Sequence, residues 1–210
     1  MHTLSVLRRR HPLATSRAAG ALAVATLAPL QGCIALLGAG AVAGGLSLND
    51  RRTGGTQIED QSIELKSGGR LREAIGDKGH VNVTSYDRIV LLSGEVPTEA
   101  DKVAAEKAVR DIEGVNNVVN ELEVGPNSTI STRSSDTVIT TRVKSALIDA
   151  KDVQASAVKV ITERGNVYLM GRVTEREATR AAEIARAQPS VLKVVRAFEI
   201  LTEEQLSNLR

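Results

Sequence analysis

The sequence predicts an α/β (α+β) protein built from two tandem copies of one small module. Each copy reads as helix, strand, strand, helix, strand, a three-stranded mixed sheet packed by two helices. Three observations carry this. Val81, Val83, Val90, Leu92, Gly94 and Val96 recur 77 residues later as Val158, Val160, Val167, Leu169, Gly171 and Val173. Within each copy, apolar residues alternate with period two on either side of a short polar turn, the pattern of a β-hairpin. A Thr followed by acidic residues then opens an alanine-rich helix, Thr98 in the first copy and Thr174 in the second.

Residues 1–32 read as a targeting signal. Arg8, Arg9, Arg10 and Arg17 precede an uncharged run over 18–30, a length that suits a signal peptide and falls short of a membrane span. Leu30-Gln31-Gly32-Cys33 follows at once. It resembles the lipobox of bacterial lipoproteins, in which the thiol is lipidated and the chain is cleaved before the cysteine. A transmembrane helix is the competing reading, because no charge occurs from 18 to 48. Pro29 and five glycines between 32 and 45 oppose it, each being unfavourable inside a helix. Cys33 is therefore the expected lipidation site, and 33–57 the lipidated N-terminus and its tether.

The first module is expected over 58–125. Its opening helix, near 63–75, contains Gly68-Gly69, and two glycines cost about 1 kcal/mol each relative to Ala, which predicts a short or frayed helix. The hairpin turns at Asp87-Arg88, the second helix runs from Thr98 to Gly114, and the closing strand covers 115–124. A polar, turn-rich linker is expected over 126–135. The second module, 136–204, opens with Asp136 as N-cap and places Ile139, Val143, Ala146, Leu147 and Ala150 on one face. Its hairpin turns at Arg164-Gly165-Asn166, its second helix ends near Pro189, and residues 191–200 close the sheet. Residues 205–210 are left as a tail. Gly94 and Gly171 end the second strands, where a residue without Cβ is expected for steric reasons.

Composition excludes several functions. Of 27 Lys and Arg, four lie in the leader, leaving 23 against 25 Asp and Glu in 33–210. General nucleic-acid affinity thereby loses its electrostatic support. Tyr86, Tyr168 and Phe198 are the only aromatics, too few for base-stacking platforms. One cysteine rules out intrachain disulfides and multi-thiolate metal sites. His80 is the only histidine past the leader and lies in a turn-rich stretch, where a solvated loop histidine is expected. Neither a catalytic centre nor a metal site is expected, and no cofactor beyond covalent lipid on Cys33.

The stretches Gly55-Thr56-Gln57-Ile58, Val81-Asn82-Val83-Thr84, Val90-Leu91-Leu92, 136–141 and 168–178 resemble tandem BON domains. With a lipobox and tether ahead of them, the arrangement is similar to that of the dual-BON outer-membrane lipoproteins across essentially all of the mature chain. The resemblance implies a non-enzymatic lipoprotein on the periplasmic face of the outer membrane. It also implies binding of anionic phospholipid and support of envelope integrity, including at the division site. In that family lipid contact is attributed to the first helix of the second unit. By position this means Val138, Arg142, Val143, Lys144, Leu147 and Ile148, with Val138 standing where the family has Trp. The competing function is a protein-binding adaptor for an outer-membrane assembly or cell-wall factor.

Overall fold

The computed structural model describes residues 50–209. The signal segment, Cys33 and most of the tether lie outside the described residues. Helix α1 (Gly54–Ile75) opens at Thr53, whose hydroxyl accepts from the Thr56 N–H. It runs 22 residues without a break through Gly68-Gly69, which corrects the expectation of a short or frayed helix. Ile63, Leu71 and Ile75 anchor its inner face, and both glycines point outward. Tertiary packing outweighs the local propensity cost. The tether also ends earlier than residue 57. The helix already begins at Gly54, and Arg51 is buried.

Strands β1 (His80–Tyr86) and β2 (Ile89–Val96) form an antiparallel hairpin. Its turn residues Asp87 and Arg88 have φ of 51° and 64°, the left-handed pair of a type I′ turn. Helix α2 (Glu99–Arg110) returns the chain to the sheet and ends sooner than expected, in a turn through Gly114. The closing strand is broken into β3 (Asn117–Asn120) and β4 (Glu123–Val124), both parallel to β2. The break has a local cause. The Asn120 side-chain carbonyl accepts from the Leu122 N–H, and Leu122 turns into the core.

The second module repeats this plan with α3 (Ile130–Asp149), β5 (Val158–Glu163), β6 (Asn166–Thr174), α4 (Glu175–Arg186) and β7 (Lys193–Leu201). Here β7 is unbroken and pairs with β6 over nine residues. Thr174 and Glu177 form a reciprocal capping box. Part of the expected tail is helical: α5 (Glu203–Ser207) carries its own capping box, Thr202 with Gln205, and buries Leu206.

Two corrections concern the start of α3. The helix begins six residues before Asp136, capped by Thr129, so half of the expected linker is helix. Asp136 is not a cap but a buried helical residue. Its carboxylate accepts from the N–H groups of Arg164 and Gly165, at 2.9 and 2.8 Å, and so closes the β5–β6 turn. Asp60 in α1 does the same for Asp87 and Arg88, both at 2.8 Å. One carboxylate per module thus ties the opening helix to the hairpin.

Alternation along β2 and β6 explains how the modules meet. Val90 and Leu92, and likewise Val167 and Leu169, point into the helix-covered cores. Leu91, Tyr168 and Met170 point the other way and gather with Tyr86 and Ala197 in a third buried cluster. The helix-free faces of the two sheets therefore cover each other, which removes the open apolar face that a lone module would present. Gly94 and Gly171 lie at equivalent places, with φ of 110° and 156°. A Cβ there would stand 2.0 Å from the His80 carbonyl oxygen and 2.1 Å from that of Ala157.

Candidate functional site: the outer face of helix α3 and the adjoining cleft

The residues that the resemblance selects on α3 divide by helical periodicity. Val143 and Leu147 are 0% and 1% exposed and belong to the second module's core, together with Ile139. They cannot meet a ligand without unfolding the helix, a correction to their place in the expected lipid-binding set. Val138, Arg142, Lys144 and Ile148 do face outward. Ile130 and Arg133 join them from the segment expected to be linker. Ile130 and Ile148 lie five turns apart on one line of the helix and are 83% and 71% exposed. A helix start at Thr129 could have been read from its spacing to Thr132, a Thr-x-x-Thr pair ahead of an apolar residue pattern.

The exposed charges of this face are cationic from 130 to 148, and the exposed Asp149 ends the helix. Asp136 is the only acidic residue between 130 and 148, and it points inward. The exposed hydroxyls are largely satisfied within the helix: Ser134, Ser135, Thr137 and Thr141 donate to the carbonyls four residues back. A hydroxyl already bonded to its own helix costs less to bring near an apolar phase than one that must give up water. Among the described residues no helix is long and apolar enough to cross a membrane.

Beside this face lies a polar cleft of about 480 Å³. Arg133, Thr137, Thr141 and Lys144 of α3 line one wall, and His80 and Asn82 of β1 line part of the other, so the cleft spans the two modules. Asp136, Thr140, Thr162 and Glu163 complete its lining.

At the inner end of the cleft the structure gathers buried charge. Glu95 is fully buried, accepts from the Ser128 N–H at 3.1 Å and from Arg164 Nε at 2.6 Å. Burial alone would raise its pKa, but these hydrogen bonds and the charges of Arg164 and His80 hold it below the usual carboxylate range. Glu163, on the other module, accepts from Asn82 Nδ2 at 2.8 Å, and burial pushes its carboxyl up. His80 is not a loop residue: it opens β1, with its Nδ1 3.3 Å from Glu95 Oε2. Sequence reading missed this group because its members lie up to 83 residues apart and meet only when the sheets pack face to face.

Comparison with known proteins gives concordant matches. The family model described as "BON domain" matches twice, over residues 59–126 and 135–202. The chain is 42% identical over 175 residues to outer membrane lipoprotein DolP of Haemophilus influenzae, a match that covers 82% of this chain and 90% of that one. It is 36% identical over 151 residues to a 21 kDa hemolysin of Actinobacillus pleuropneumoniae, covering 71% and 78% of the two chains. Osmotically-inducible protein Y of Escherichia coli is 31% identical over 150 residues, covering 67% and 72%.

Proposed function

The chain belongs to the BON-domain family, and from that premise we propose that it is a non-enzymatic outer-membrane lipoprotein. In this reading it is anchored through acyl chains on Cys33, faces the periplasm, and engages anionic phospholipid with the second module. Envelope support, including at the division site, follows from that contact. The observation that carries the reading is the outer face of α3, where Ile130, Val138 and Ile148 stand among Arg133, Arg142 and Lys144 with no exposed acid between.

The energetics suit a tethered protein. Three cations near an anionic surface contribute together about 3 kcal/mol. The exposed apolar side chains add to this as they enter the headgroup region, at about 25 cal/mol per Å² removed from water. The sum is weak for a free protein and sufficient for one whose anchor raises its effective concentration at the membrane. Val138 in place of an interfacial Trp makes the contact shallower.

Co-sedimentation of residues 49–210 with vesicles tests the proposal. Phosphatidylglycerol vesicles should retain the protein at low salt and release it as salt rises, because exposed charges are screened over about 8 Å at physiological ionic strength. Phosphatidylcholine vesicles should not retain it. Arg142→Glu with Lys144→Glu should abolish retention without changing the melting temperature, since both side chains are exposed. Retention unchanged in that double variant would overturn the assignment. Isolated modules are unsuitable for this purpose: each would expose the apolar sheet face now covered by its neighbour.

The adaptor reading rests on a different helix. Ile58 and Leu65 of α1 are exposed, lie seven residues apart on one face, and offer two apolar anchors to a partner protein. Leu65→Lys that leaves vesicle binding intact but removes the protein's effect in cells would favour it.

A further inference from the structure

The buried group at the end of the cleft has a feature that lipid binding leaves unused. Among the described residues, Ser93 Oγ and His80 Nδ1 are buried polar atoms that make no hydrogen bond, although Nδ1 lies within ion-pair distance of Glu95 Oε2, at 3.3 Å. Such atoms are costly in a folded protein unless something completes them. Ser93 is 1% exposed and lies two residues before Glu95, on the same face of β2. Across the hairpin it pairs with Asn82, whose amide holds Glu163. The two atoms thus belong to one neighbourhood, which also contains the buried carboxylates of Glu95 and Glu163.

One ligand atom each from His80, Glu95 and Glu163 lie within 4.8 Å of one another. For metal–ligand bonds of about 2.0–2.1 Å, the edges of a tetrahedral site are about 3.3 Å. The Nδ1-to-Oε2 distance between His80 and Glu95 already has that value, 3.3 Å. We propose that His80, Glu95 and Glu163 form a divalent transition-metal site of the zinc class that bridges the two BON modules.

The donor set selects the metal. One imidazole and two carboxylates suit zinc and its neighbours, whereas calcium and magnesium prefer oxygen ligands throughout. Glu95 is pre-oriented, because Arg164 holds its other oxygen at 2.6 Å. Glu163 is positioned by Asn82 Nδ2, which donates to its Oε2 at 2.8 Å. Two buried carboxylates, Glu95 and Glu163, meet here, and Arg164 is paired with the first of them. His80 and Glu163 both line the cleft, which gives the ion an entry path. His80 and Glu95 come from the first module and Glu163 from the second, so the ion would clamp the sheet-to-sheet interface.

Isothermal titration of residues 49–210 with zinc chloride tests the proposal, and in this unit His80 is the only imidazole. One equivalent should bind and raise the melting temperature, while magnesium and calcium chloride give neither effect. His80→Ala and Glu163→Gln should each weaken zinc binding at least about tenfold. Nitrogen NMR of the His80 ring in the unsubstituted protein should show coordination through Nδ1, a readout that needs no variant to fold. Absence of saturable zinc binding would overturn the proposal. So would binding that both substitutions leave unchanged, coordination through Nε2, or equal binding of magnesium or calcium.

Discussion

Helices α1 and α3 occupy equivalent places in the two modules, and their inner and outer faces have diverged to different degrees. Inward, they match position by position at a shift of 76: Asp60 with Asp136, Ile63 with Ile139, Leu71 with Leu147. The one polar exchange, Ser67 against Val143, is neutralised by a hydrogen bond from the Ser67 hydroxyl to the Ile63 carbonyl at 2.7 Å. Outward, little corresponds beyond the charge of Lys66 with Arg142 and of Glu73 with Asp149. Helix α1 mixes Glu59 and Glu73 with Lys66, Arg70 and Arg72, whereas α3 presents cations, hydroxyls and isoleucines with a single exposed acid, Asp149, at its last residue. The inner face answers to the fold, which both modules share. The outer face answers to a surrounding medium, and only that of α3 suits an anionic interface.

The largest expected effect lies where the modules are most alike. Gly94→Val and Gly171→Val each drive a side chain into a strand carbonyl, at 2.0 and 2.1 Å from Cβ. Added to an unfavourable backbone conformation, this should cost more than about 3 kcal/mol in either module. That is a large part of the ordinary stability of a domain. Thermal melts should show a lost or strongly lowered transition for both variants. Tolerance at one glycine alone would show that the repeats are not mechanically equivalent.

A smaller difference is expected at the carboxylates that close the hairpin turns. Asp136→Ala leaves two turn N–H groups without their acceptor, at about 1–3 kcal/mol each. Asp60→Ala does the same and also frees the Ser85 hydroxyl, bonded at 2.6 Å, and the Arg52 guanidinium at 2.8 Å. Denaturant unfolding of the two variants should therefore rank Asp60→Ala as the more damaging. The reverse order would mean that the extra bonds around Asp60 contribute nothing net.

These aspartates also mark how far the sequence could be read. The repeat, the strands and the second helices were legible because period-two alternation and Thr caps are local signals. Asp136 was misread because a buried carboxylate that receives turn amides across 28 residues looks, in sequence, like an N-cap before an apolar helix. Gly68-Gly69 misled for the opposite reason: local propensity argued against a helix that packing at Ile63, Leu71 and Ile75 sustains. On α3, the resemblance supplied the helix but not its phase, so the core residues Val143 and Leu147 entered the lipid-binding set. The meeting of the sheets was illegible. Leu91 and Tyr168 read as strand residues between core positions, and nothing local says what covers them.

Functional asymmetry is sharpened by a matched pair of substitutions. Val138→Trp should tighten binding to phosphatidylglycerol vesicles by about three- to tenfold, since an aromatic ring anchors well at headgroup depth. Ser62→Trp, the equivalent change in α1, should leave it unaltered, because Glu59 places an acid on that helix's outer surface where α3 has Ser135. Equal gains from both would remove the distinction between the helices and point to nonspecific insertion of any exposed Trp.

The smallest effect concerns the turns, where Asp87 in the first module stands against Arg164 in the second. Arg164 reaches across to Glu95 and Glu123 of the first module, pairing opposite charges. Asp87 instead meets another acid, Glu199 of β7, with Arg172 3.4 Å away. Its carboxyl is pushed up to about 6, first by burial, then by the hydrogen bond and charge of Glu199, with Arg172 opposing. The folded state therefore holds this proton more tightly than the unfolded chain, whose value is near 3.8. Stability from this group is fully present below about pH 4 and is lost as pH rises through about 6. Glu95 and Glu177 run the other way, since their lowered values make them lose stability as pH falls through the folded pKa. Asp87→Asn should consequently raise the melting temperature at pH 7.5 and lose that advantage by pH 4. Solvent access around the turn limits the gain to about 1 kcal/mol or less. A variant that is equally stabilised at both pH values would show that the Asp87–Glu199 contact does not titrate, and that the two turns differ in packing rather than in charge.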